Sequence, residues 1–246
     1  MRVGAIIAAA GEGKRFISES DNSKKQFAEL GGEPLFLRSA IIFLESPIID
    51  ETVVTVPASN VEKCNQLLRK CSDGHNVHVI PGGEQRQESV YNAFSQIRER
   101  VEVVIIHDAV RPFLQTEWIE KTVELTDTYD GAIVAIPALF FKKNTAYDII
   151  NRTMDRSTVW QAQTPQTFAV GILDKAFEHA LALGIVGTDE AQLVETVGGR
   201  IAIVEGSSFN IKITTKNDLT LAEAILSMGQ YVRVCCISDN VSFRAT

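Results

Sequence analysis

The sequence has no apolar run long enough to cross a bilayer. A membrane-spanning helix needs ~20 consecutive apolar residues, and no stretch of the 246-residue chain approaches that length. The chain enters a strand-like segment at residue 3, without the pattern of a signal or transit peptide. We therefore expect a cytoplasmic protein that does not bind membranes.

Cysteine and histidine are also scarce, with four residues of each type. The cysteines form no C-x-x-C pair, and no cysteine has a spacing to a histidine that is typical of a zinc site. We expect the thiols to be reduced and structural. The four cysteines are Cys64, Cys71, Cys235 and Cys236.

Positive charge is in the minority, since 24 Lys and Arg residues face 31 Asp and Glu residues and give a net charge of −7. A surface of this charge repels nucleic acid, so we expect no nucleic-acid partner. A polyanion such as a nucleotide needs a local group of cations. One such group is Lys14, Arg15, Lys24 and Lys25.

Internal repeats and low-complexity linkers are absent, and Val/Ile-rich runs alternate with helical patterns. This alternation predicts a mostly parallel sheet covered by helices on both faces. An irregular or hairpin excursion interrupts it at residues 139–156. The predicted strands are residues 3–9, 52–56, 77–80, 101–106 and 131–136. The predicted helices are residues 34–44, 60–70, 86–97, 115–125, 171–183, 189–197 and 216–227, with Asn60 and Thr116 as candidate N-caps.

Ligands of such sheets bind beyond the carboxyl ends of the strands. The loop after the first strand, AAAGEGKRF (residues 8–16), lacks the Lys-Ser/Thr pair of a P-loop, and Phe16 replaces the third glycine of a dinucleotide motif. What remains is a glycine-containing turn whose amides can bind phosphate, followed by Arg15. A tight turn with solvated cations is the alternative.

Two other segments carry weaker signals. In SKKQF, Lys24 and Lys25 follow a polar loop, where a charge pair is usually only solvated. In PGGEQRQESV, Gly82 and Gly83 follow a strand and Ser89 lies in the next helix, an arrangement that lets a base or ribose approach the backbone. A helix-capping turn is the alternative there.

The strongest signal is IIHDAVRPF. Asp108 and Arg111 end the most hydrophobic strand, where a carboxylate and a guanidinium are costly unless they pair or bind a ligand. The alternative is that these two side chains pair only with each other.

Seven motifs, in this order, closely resemble the 2-C-methyl-D-erythritol 4-phosphate cytidylyltransferase family of non-mevalonate isoprenoid biosynthesis, over roughly residues 3–226. They are AAAGEGKRF, KQF, GGEQRQESV, HDAVRP, TMDRSTVWQAQTPQTF, TDEA and FNIKITTKNDL. The resemblance implies transfer of CMP from CTP to 2-C-methyl-D-erythritol 4-phosphate, with release of pyrophosphate.

The resemblance also implies an α/β fold, a Rossmann-like three-layer sandwich of the nucleotide-diphospho-sugar transferase type with a mostly parallel sheet and a protruding dimerisation arm. We expect one cytidylyltransferase domain at residues 1–228, with the arm at about 138–157 and a tail of unassigned role at 229–246. The arm would join two copies into a homodimer. Mg²⁺ or another divalent cation would be bound mainly through the CTP phosphates.

Site residues are carried over from the family by motif. The implied catalytic residues are Arg15, Lys25, Arg156 and Lys212. The implied nucleotide-binding residues are Ala9, Ala10, Gly11, Gly13, Gly83, Ser89, Asp108 and Ala109. The implied substrate-binding residues are Arg111, Thr164 and Thr188. Simpler interpretations are a helix N-cap for Thr188 and a water-facing strand lysine for Lys212.

The sequence departs from the family pattern in three places. The loop between Arg15 and Lys25 is longer, with Lys24 in place of a proline. Phe140 and Phe141 occupy a stretch where the family has Asp-Thr and a lysine, which puts a threonine contact to the substrate phosphate in doubt. The segment after Met228 has no counterpart that we can assign.

Two other functions fit the sequence. One is transfer of CMP to ribitol 5-phosphate, which RPFL, QTPQ and FNIKITT would suit equally, whereas TMDRSTVW and TDEAQLVE favour methylerythritol phosphate. The other is a non-catalytic nucleotide-binding subunit, which the joint presence of the four implied catalytic cations disfavours. Pyrophosphate release from CTP with each polyol phosphate distinguishes all three.

Overall fold

The computed structural model describes residues 1–11, 16, 24–138, 143–146 and 149–229, with the backbone alone for 143–146 and 149–152. The strands, numbered along the chain, are β1 (Val3–Ala8), β2 (Glu29–Leu30), β3 (Glu33–Pro34), β4 (Glu51–Val56), β5 (Asn76–Pro81), β6 (Val103–Asp108), β7 (Gly131–Pro137), β8 (Lys143–Ala146), β9 (Ile149–Thr153), β10 (Trp160–Ala169) and β11 (Ile201–Glu205). The α-helices are α1 (Leu35–Leu44), α2 (Val61–Cys71), α3 (Arg86–Ile97), α4 (Thr116–Glu124), α5 (Val170–Leu183), α6 (Glu190–Thr196) and α7 (Lys216–Ser227).

Seven strands form one sheet in the order β11-β7-β10-β6-β1-β4-β5. All neighbouring pairs are parallel except those of β10, which runs antiparallel to both β6 and β7. The five strands expected from their Val and Ile content are therefore confirmed. The mostly parallel sheet is confirmed as well.

Two strands of the sheet, β10 and β11, were not predicted. β10 has the sequence WQAQTPQTFA, in which glutamine, threonine and proline replace the usual Val/Ile run. Its polar side chains are buried because partners inside the fold satisfy them: Thr167 donates from Oγ1 to Oγ1 of Thr122 at 2.8 Å. Pro165 lies where the pairing register with β7 shifts, a position that tolerates the missing N–H.

Side chains that alternate along the strands supply two apolar cores, one on each face of the sheet. In β1, Ala5 and Ile7 point into the core that α1, α2 and α4 cover, while Ile6 points into the core covered by α3, α5 and α6. The result is the expected three-layer α/β sandwich.

A third apolar cluster lies under the carboxyl edge of the sheet. It joins Phe16 and Val110 to Ile213 and to Ile225 of α7. The backbone N–H of Ile213 donates to the carbonyl oxygen of Val110 at 2.9 Å. α7 therefore anchors the segment that carries Lys212 next to the end of β6.

The excursion contains a separate two-stranded antiparallel sheet of β8 and β9. A hairpin in this region is thus confirmed for the described strands. Phe140 and Phe141 lie outside the described residues. The single domain at residues 1–228, the arm and the tail at 229–246 stay predictions.

Helix boundaries agree with the expected ones within one residue, and one of the two expected N-caps is at its predicted position. Gln115 is the N-cap of α4, and Thr116 is the first helical residue. Asn60 is the N-cap of α2, yet its side chain accepts no capping hydrogen bond. Within the described ranges, no helix is both long and apolar enough to cross a membrane.

Candidate functional site

A cleft opens where β1 and β6 end side by side, with Ala8 of β1 paired to Asp108 of β6. The cleft holds about 140 Å³. It lies at the carboxyl edge of the sheet, where the sequence predicts the site. Its lining consists of Ala8, Ala9, Ala10, Gly11, Lys25, Gln26, Arg86, Ser89, Asp108, Val110 and Lys212.

Three cations surround the Asp108 carboxylate. Lys212 Nζ lies 2.7 Å from Oδ2 of Asp108, Arg86 Nε lies 3.0 Å from Oδ1, and Arg111 Nε lies 3.7 Å from Oδ2. Burial raises the pKa of the Asp108 carboxyl, but the charges of Arg86, Lys212 and Arg111 outweigh it and hold the pKa well below its usual range. Asp108 is therefore ionised and fixes the positions of three positive groups.

Lys212 is not the water-facing strand lysine of the simpler interpretation. It belongs to no strand, and its ammonium group reaches the cleft through the contact with Asp108. Arg111 donates from Nη1 to the carbonyl oxygen of Asn210 at 2.7 Å, which ties the end of β6 to the segment preceding Lys212. The interpretation that Asp108 and Arg111 pair only with each other is also wrong.

Arg86 belongs to the site, although the sequence analysis did not single it out. It begins α3 and donates from Nη1 to both carboxylate oxygens of Glu190, each at 2.8 Å. Glu190 begins α6 and is 1% exposed. Burial raises the pKa of the Glu190 carboxyl, while the Arg86 charge lowers it less. The partners are 104 residues apart, so local sequence gives no signal for this pair.

His107 and Thr164 form a hydrogen-bonded chain behind Asp108. Since the Arg111 carbonyl can only accept, His107 donates to it from Nε2 at 3.1 Å, and Nδ1 accepts from the Thr164 hydroxyl at 3.0 Å. Thr164 Oγ1 accepts from the backbone N–H of Asp108 at 3.2 Å. Burial lowers the pKa of His107 to about 4, which keeps it neutral. These hydrogen bonds position the backbone of Asp108, and they use both the donor and an acceptor site of the Thr164 hydroxyl.

The Gly82–Gly83 turn is shaped by packing. A Cβ at Gly82 would overlap the Cβ of Ala10, so only glycine lets the end of β5 approach the loop after β1. Ser89 accepts from the backbone N–H of Gly83 and donates to the Gln85 carbonyl oxygen, both at 3.0 Å. The turn thereby packs against Ala10 and Ser89, which line the cleft.

The cleft brings together seven of the fifteen implied residues. Ala9, Ala10, Gly11, Lys25, Ser89, Asp108 and Lys212 line it. Gly83 and Ala109 are not among its lining residues, and Ala109 is fully buried. Gly13 and Arg15 lie outside the described residues.

Two residues implied for the sugar phosphate are exposed. Thr188 donates from its backbone N–H and its hydroxyl to Oε1 of Gln192, at 2.7 and 3.1 Å. It isn't the N-cap of α6, because Asp189 holds that position. Arg156, in the turn after β9, is not among the lining residues of its own chain's cleft.

The described residues contain no group of three His, Cys, Asp or Glu side chains arranged to hold a metal ion. Asp108 is the one carboxylate among the described residues that line the cleft, and its oxygens contact cations.

Comparison with known proteins identifies the family. Residues 3–228 match the family described as 2-C-methyl-D-erythritol 4-phosphate cytidylyltransferase. A relative of that name from Geotalea uraniireducens is 40% identical over 229 residues, covering 92% of this chain and 97% of the relative. One from Geobacillus kaustophilus is 38% identical over 227 residues, covering 92% and 98%.

Solved structures agree. The 4-diphosphocytidyl-2C-methyl-D-erythritol synthase from Anaerococcus prevotii has a TM-score of 0.80 and 28% identity, covering 92% of this chain and 98% of that one. The 2-C-methyl-D-erythritol 4-phosphate cytidylyltransferase from Thermus thermophilus has a TM-score of 0.74 and 27% identity, covering 92% and 100%. The sequence match, the shared fold and the cleft at the end of β1 lead to one conclusion: the chain belongs to the 2-C-methyl-D-erythritol 4-phosphate cytidylyltransferase family of nucleotidyltransferases.

Proposed function

We propose that this protein transfers CMP from CTP to 2-C-methyl-D-erythritol 4-phosphate and releases pyrophosphate, as a step of non-mevalonate isoprenoid biosynthesis. The observation that carries the proposal is the cleft itself. Two lysines, Lys25 and Lys212, share it with the small-residue loop after β1, in a chain of this family. Cations beside a loop with accessible amides suit a polyphosphate.

The reaction needs charge stabilisation more than it needs a base. A phosphate-monoester oxygen of the acceptor attacks the α-phosphorus of CTP, and pyrophosphate leaves in line. The second pKa of a phosphate monoester is ~6, so the nucleophile is largely dianionic at neutral pH. The barrier is the approach of a dianion to a polyanion, and catalysis therefore rests on positioned positive charge.

Each cation has a place in this scheme. Arg15 and Lys25 bind the phosphates of CTP. Lys212 faces the acceptor phosphate and the charge that develops at the α-phosphoryl group, and Asp108 supports it by holding its ammonium at 2.7 Å. Because Lys212 is already held when the substrates arrive, little reorganisation is needed during the reaction.

The nucleotide binds along the wall formed by the loop after β1 and the turn after β5. Its proposed contacts are Ala9, Ala10, Gly11, Gly13, Gly83, Ser89, Asp108 and Ala109. Arg111, Thr164 and Thr188 are proposed on the acceptor side. The Thr164 hydroxyl already contacts His107 and the backbone of Asp108, so we assign its role to positioning that backbone.

A divalent cation fits this site only together with the nucleotide. The one carboxylate among its described lining residues, Asp108, already contacts Lys212 and Arg86 through its two oxygens. Mg²⁺ commonly binds through substrate phosphates, so the CTP phosphates would hold the ion. Bound there, it would neutralise charge on the phosphates and on the leaving pyrophosphate.

The protein acts as a homodimer in this proposal, with Arg156 serving the partner's site. Arg156 is exposed and absent from the lining of its own cleft. The nearby β8–β9 hairpin forms its own small sheet and provides the arm. A guanidinium delivered by the arm can bind the acceptor phosphate in a bidentate manner.

Initial rates of pyrophosphate release test the function. We expect rapid release from CTP and Mg²⁺ with 2-C-methyl-D-erythritol 4-phosphate, and release slower by at least tenfold with ribitol 5-phosphate or with no acceptor. Faster release with ribitol 5-phosphate would reassign the acceptor. No release with either acceptor would indicate a non-catalytic nucleotide-binding subunit.

A further inference from the structure

Among the described residues that line the cleft, Gln26 is the buried side chain whose polar atoms lack hydrogen-bond partners. It is 1% exposed and lines the cleft beside Lys25. Within the described part of the chain, neither Nε2 nor Oε1 of Gln26 has a hydrogen-bond partner. Leaving both ends of a buried amide unpaired is costly, and folded proteins rarely do so without a reason.

The other buried amides that the structure describes are hydrogen-bonded through at least one of their polar atoms. Gln163 donates from Nε2 to the carbonyl oxygen of Ser207 at 2.9 Å. Gln166 donates from Nε2 to Asp189 at 2.8 Å and accepts at Oε1 from the backbone N–H of Ala191 at 3.2 Å. Among the described residues, Gln26 is therefore the buried amide that has neither polar atom paired, whereas Asn210 lacks a partner only at Oδ1.

The backbone holds Gln26 firmly in place. It is the middle residue of the short 3-10 turn Lys25–Phe27. Phe27 anchors that turn by packing edge-on against Phe36 of α1, with ring centroids 5.6 Å apart. A side chain fixed in this way is preorganised for a ligand and pays little entropy on binding.

The hydrogen-bonding groups of the amide limit the kinds of ligand that Gln26 can bind. Nε2 donates and Oε1 accepts, so satisfying both requires a ligand that accepts and donates at neighbouring positions. Phosphate oxygens of a nucleotide only accept. Neighbouring hydroxyl groups do both. Gln26 also shares the cleft with Lys25 and Lys212, to which the proposed function assigns phosphates. The ribose of CTP and the polyol chain of the acceptor are joined directly to those phosphates.

We propose that Gln26 is a substrate-binding residue that recognises a pair of neighbouring hydroxyl groups, donating from Nε2 to one and accepting at Oε1 from the other. This inference rests on the proposed function. Two sources supply such a pair: the ribose of CTP and the polyol chain of the acceptor. Either one would satisfy the buried amide on binding.

The test replaces Gln26 with an apolar side chain of similar size, Gln26→Met, and measures the affinity for each substrate separately. Calorimetry gives Kd for CTP, 2′-deoxy-CTP and 2-C-methyl-D-erythritol 4-phosphate, and steady-state rates give the KM values. If the ribose is the ligand, Kd for CTP rises about tenfold, the variant loses any preference for CTP over 2′-deoxy-CTP, and the acceptor is unaffected. If the polyol is the ligand, only the Kd for the acceptor rises, by about tenfold.

A thermal melt separates binding from folding. Because Gln26→Met removes an unpaired buried amide, we expect Tm to stay the same or rise. Gln26→Asn keeps both polar atoms but shortens their reach, so it should weaken the binding of the same substrate. This variant replaces Gln26→Met in the test if the Met variant fails to fold. The matched control is Gln66→Met on the exposed side of α2, which should leave every Kd and KM within twofold.

Three results would overturn the inference. The first is unchanged affinity for both substrates in a folded Gln26→Met protein. The second is equal weakening of both with a lowered Tm, which would mean a purely structural role. The third is an altered preference for CTP over UTP, which would mean that Gln26 contacts the base. Loss of the proposed function itself would show in the wild-type protein as absent turnover, whereas the calorimetric comparison still tests Gln26.

Discussion

At the scale of single residues, the charges of the cleft converge on Asp108. Its carboxylate contacts Lys212, Arg86 and Arg111, so one buried anion fixes the geometry of three cations. Lys25 enters the cleft from a different segment, the 3-10 turn that Phe27 anchors. The positive charges of the cleft therefore come from separate segments of the chain, and each segment is held in place by packing or by an ion pair.

Replacing Lys25 with alanine should lower kcat by about 10²-fold or more, the scale expected when one preorganised donor is lost. Arg15→Ala should do the same. Stability should change little, because the proposed role of both cations is to bind substrate phosphates and not to hold the fold. Turnover is measured at saturating CTP and Mg²⁺. Lys24→Ala is the matched control, because Lys24 precedes Lys25 but does not line the cleft. Near-normal turnover of both active-site variants would remove the catalytic role.

His107 makes stability depend on pH. Its pKa is lowered to about 4 in the folded state by burial, against ~6.5 in the unfolded chain. The unfolded chain thus binds a proton first as pH falls, and stability that is present above about pH 6.5 is lost toward pH 4. Between pH 7 and 5 this one group should cost about 2 kcal/mol of unfolding free energy.

Urea titrations of the wild-type protein and of His107→Gln at both pH values measure that loss. The variant should be less stable at pH 7, because it breaks the hydrogen bonds to Thr164 and Arg111, yet it should lose about 2 kcal/mol less on acidification. An identical loss in both proteins would mean that His107 is not the titrating group.

At the scale of elements, the Arg86–Glu190 pair joins the start of α3 to the start of α6. α3 follows the Gly82–Gly83 turn, which packs against the loop after β1. α6 follows Thr188, which is proposed to bind the acceptor. Because Arg86 also contacts Asp108, the pair links both sides of the proposed site through one guanidinium.

Glu190→Gln tests this link. Removing one charge from a buried pair strands the other, at a cost of 3–5 kcal/mol for fully buried pairs. Since Arg86 keeps Asp108 and is partly exposed, we expect a loss of about 2 kcal/mol in urea unfolding. The matched control is Asp174→Asn, which breaks the more exposed pair with Arg98 and should cost clearly less stability than Glu190→Gln. Equal costs would argue against the buried link.

The sequence predicts elements and site residues with unequal success, for physical reasons. β1 and β6 are rich in Val, Ile and Ala, and β4 is rich in Val and Thr, so their composition predicts buried strands. β10 is buried although polar, because its partners come from distant segments, and composition cannot reveal them.

The same contrast holds in the cleft. Lys25, Asp108 and Lys212 belong to recognisable motifs and do line it. Arg86 and Gln26 were overlooked. The role of Arg86 depends on a partner 104 residues away, and that of Gln26 on having no partner among the described residues.

At the scale of the whole molecule, the proposed active unit is a dimer in which each arm completes the other subunit's site. Subunit mixing tests this. Arg156→Ala and Lys25→Ala proteins should each be nearly inactive. Refolded together in equal amounts, about half the dimers are hybrids with one intact site, which restores roughly a quarter of wild-type activity. If the mixture contains hybrids and stays inactive, Arg156 serves its own subunit.

In the proposed reaction, the cleft transfers a cytidylyl group to the phosphate of 2-C-methyl-D-erythritol 4-phosphate. Phosphorus NMR of the wild-type protein with CTP, Mg²⁺ and this acceptor follows every phosphorus atom of that reaction. We expect CTP and the acceptor to disappear in equal amounts, while pyrophosphate and a product with two coupled diphosphate signals accumulate equally. CTP that persists, or that is cleaved while the acceptor phosphate signal stays unchanged, would contradict it.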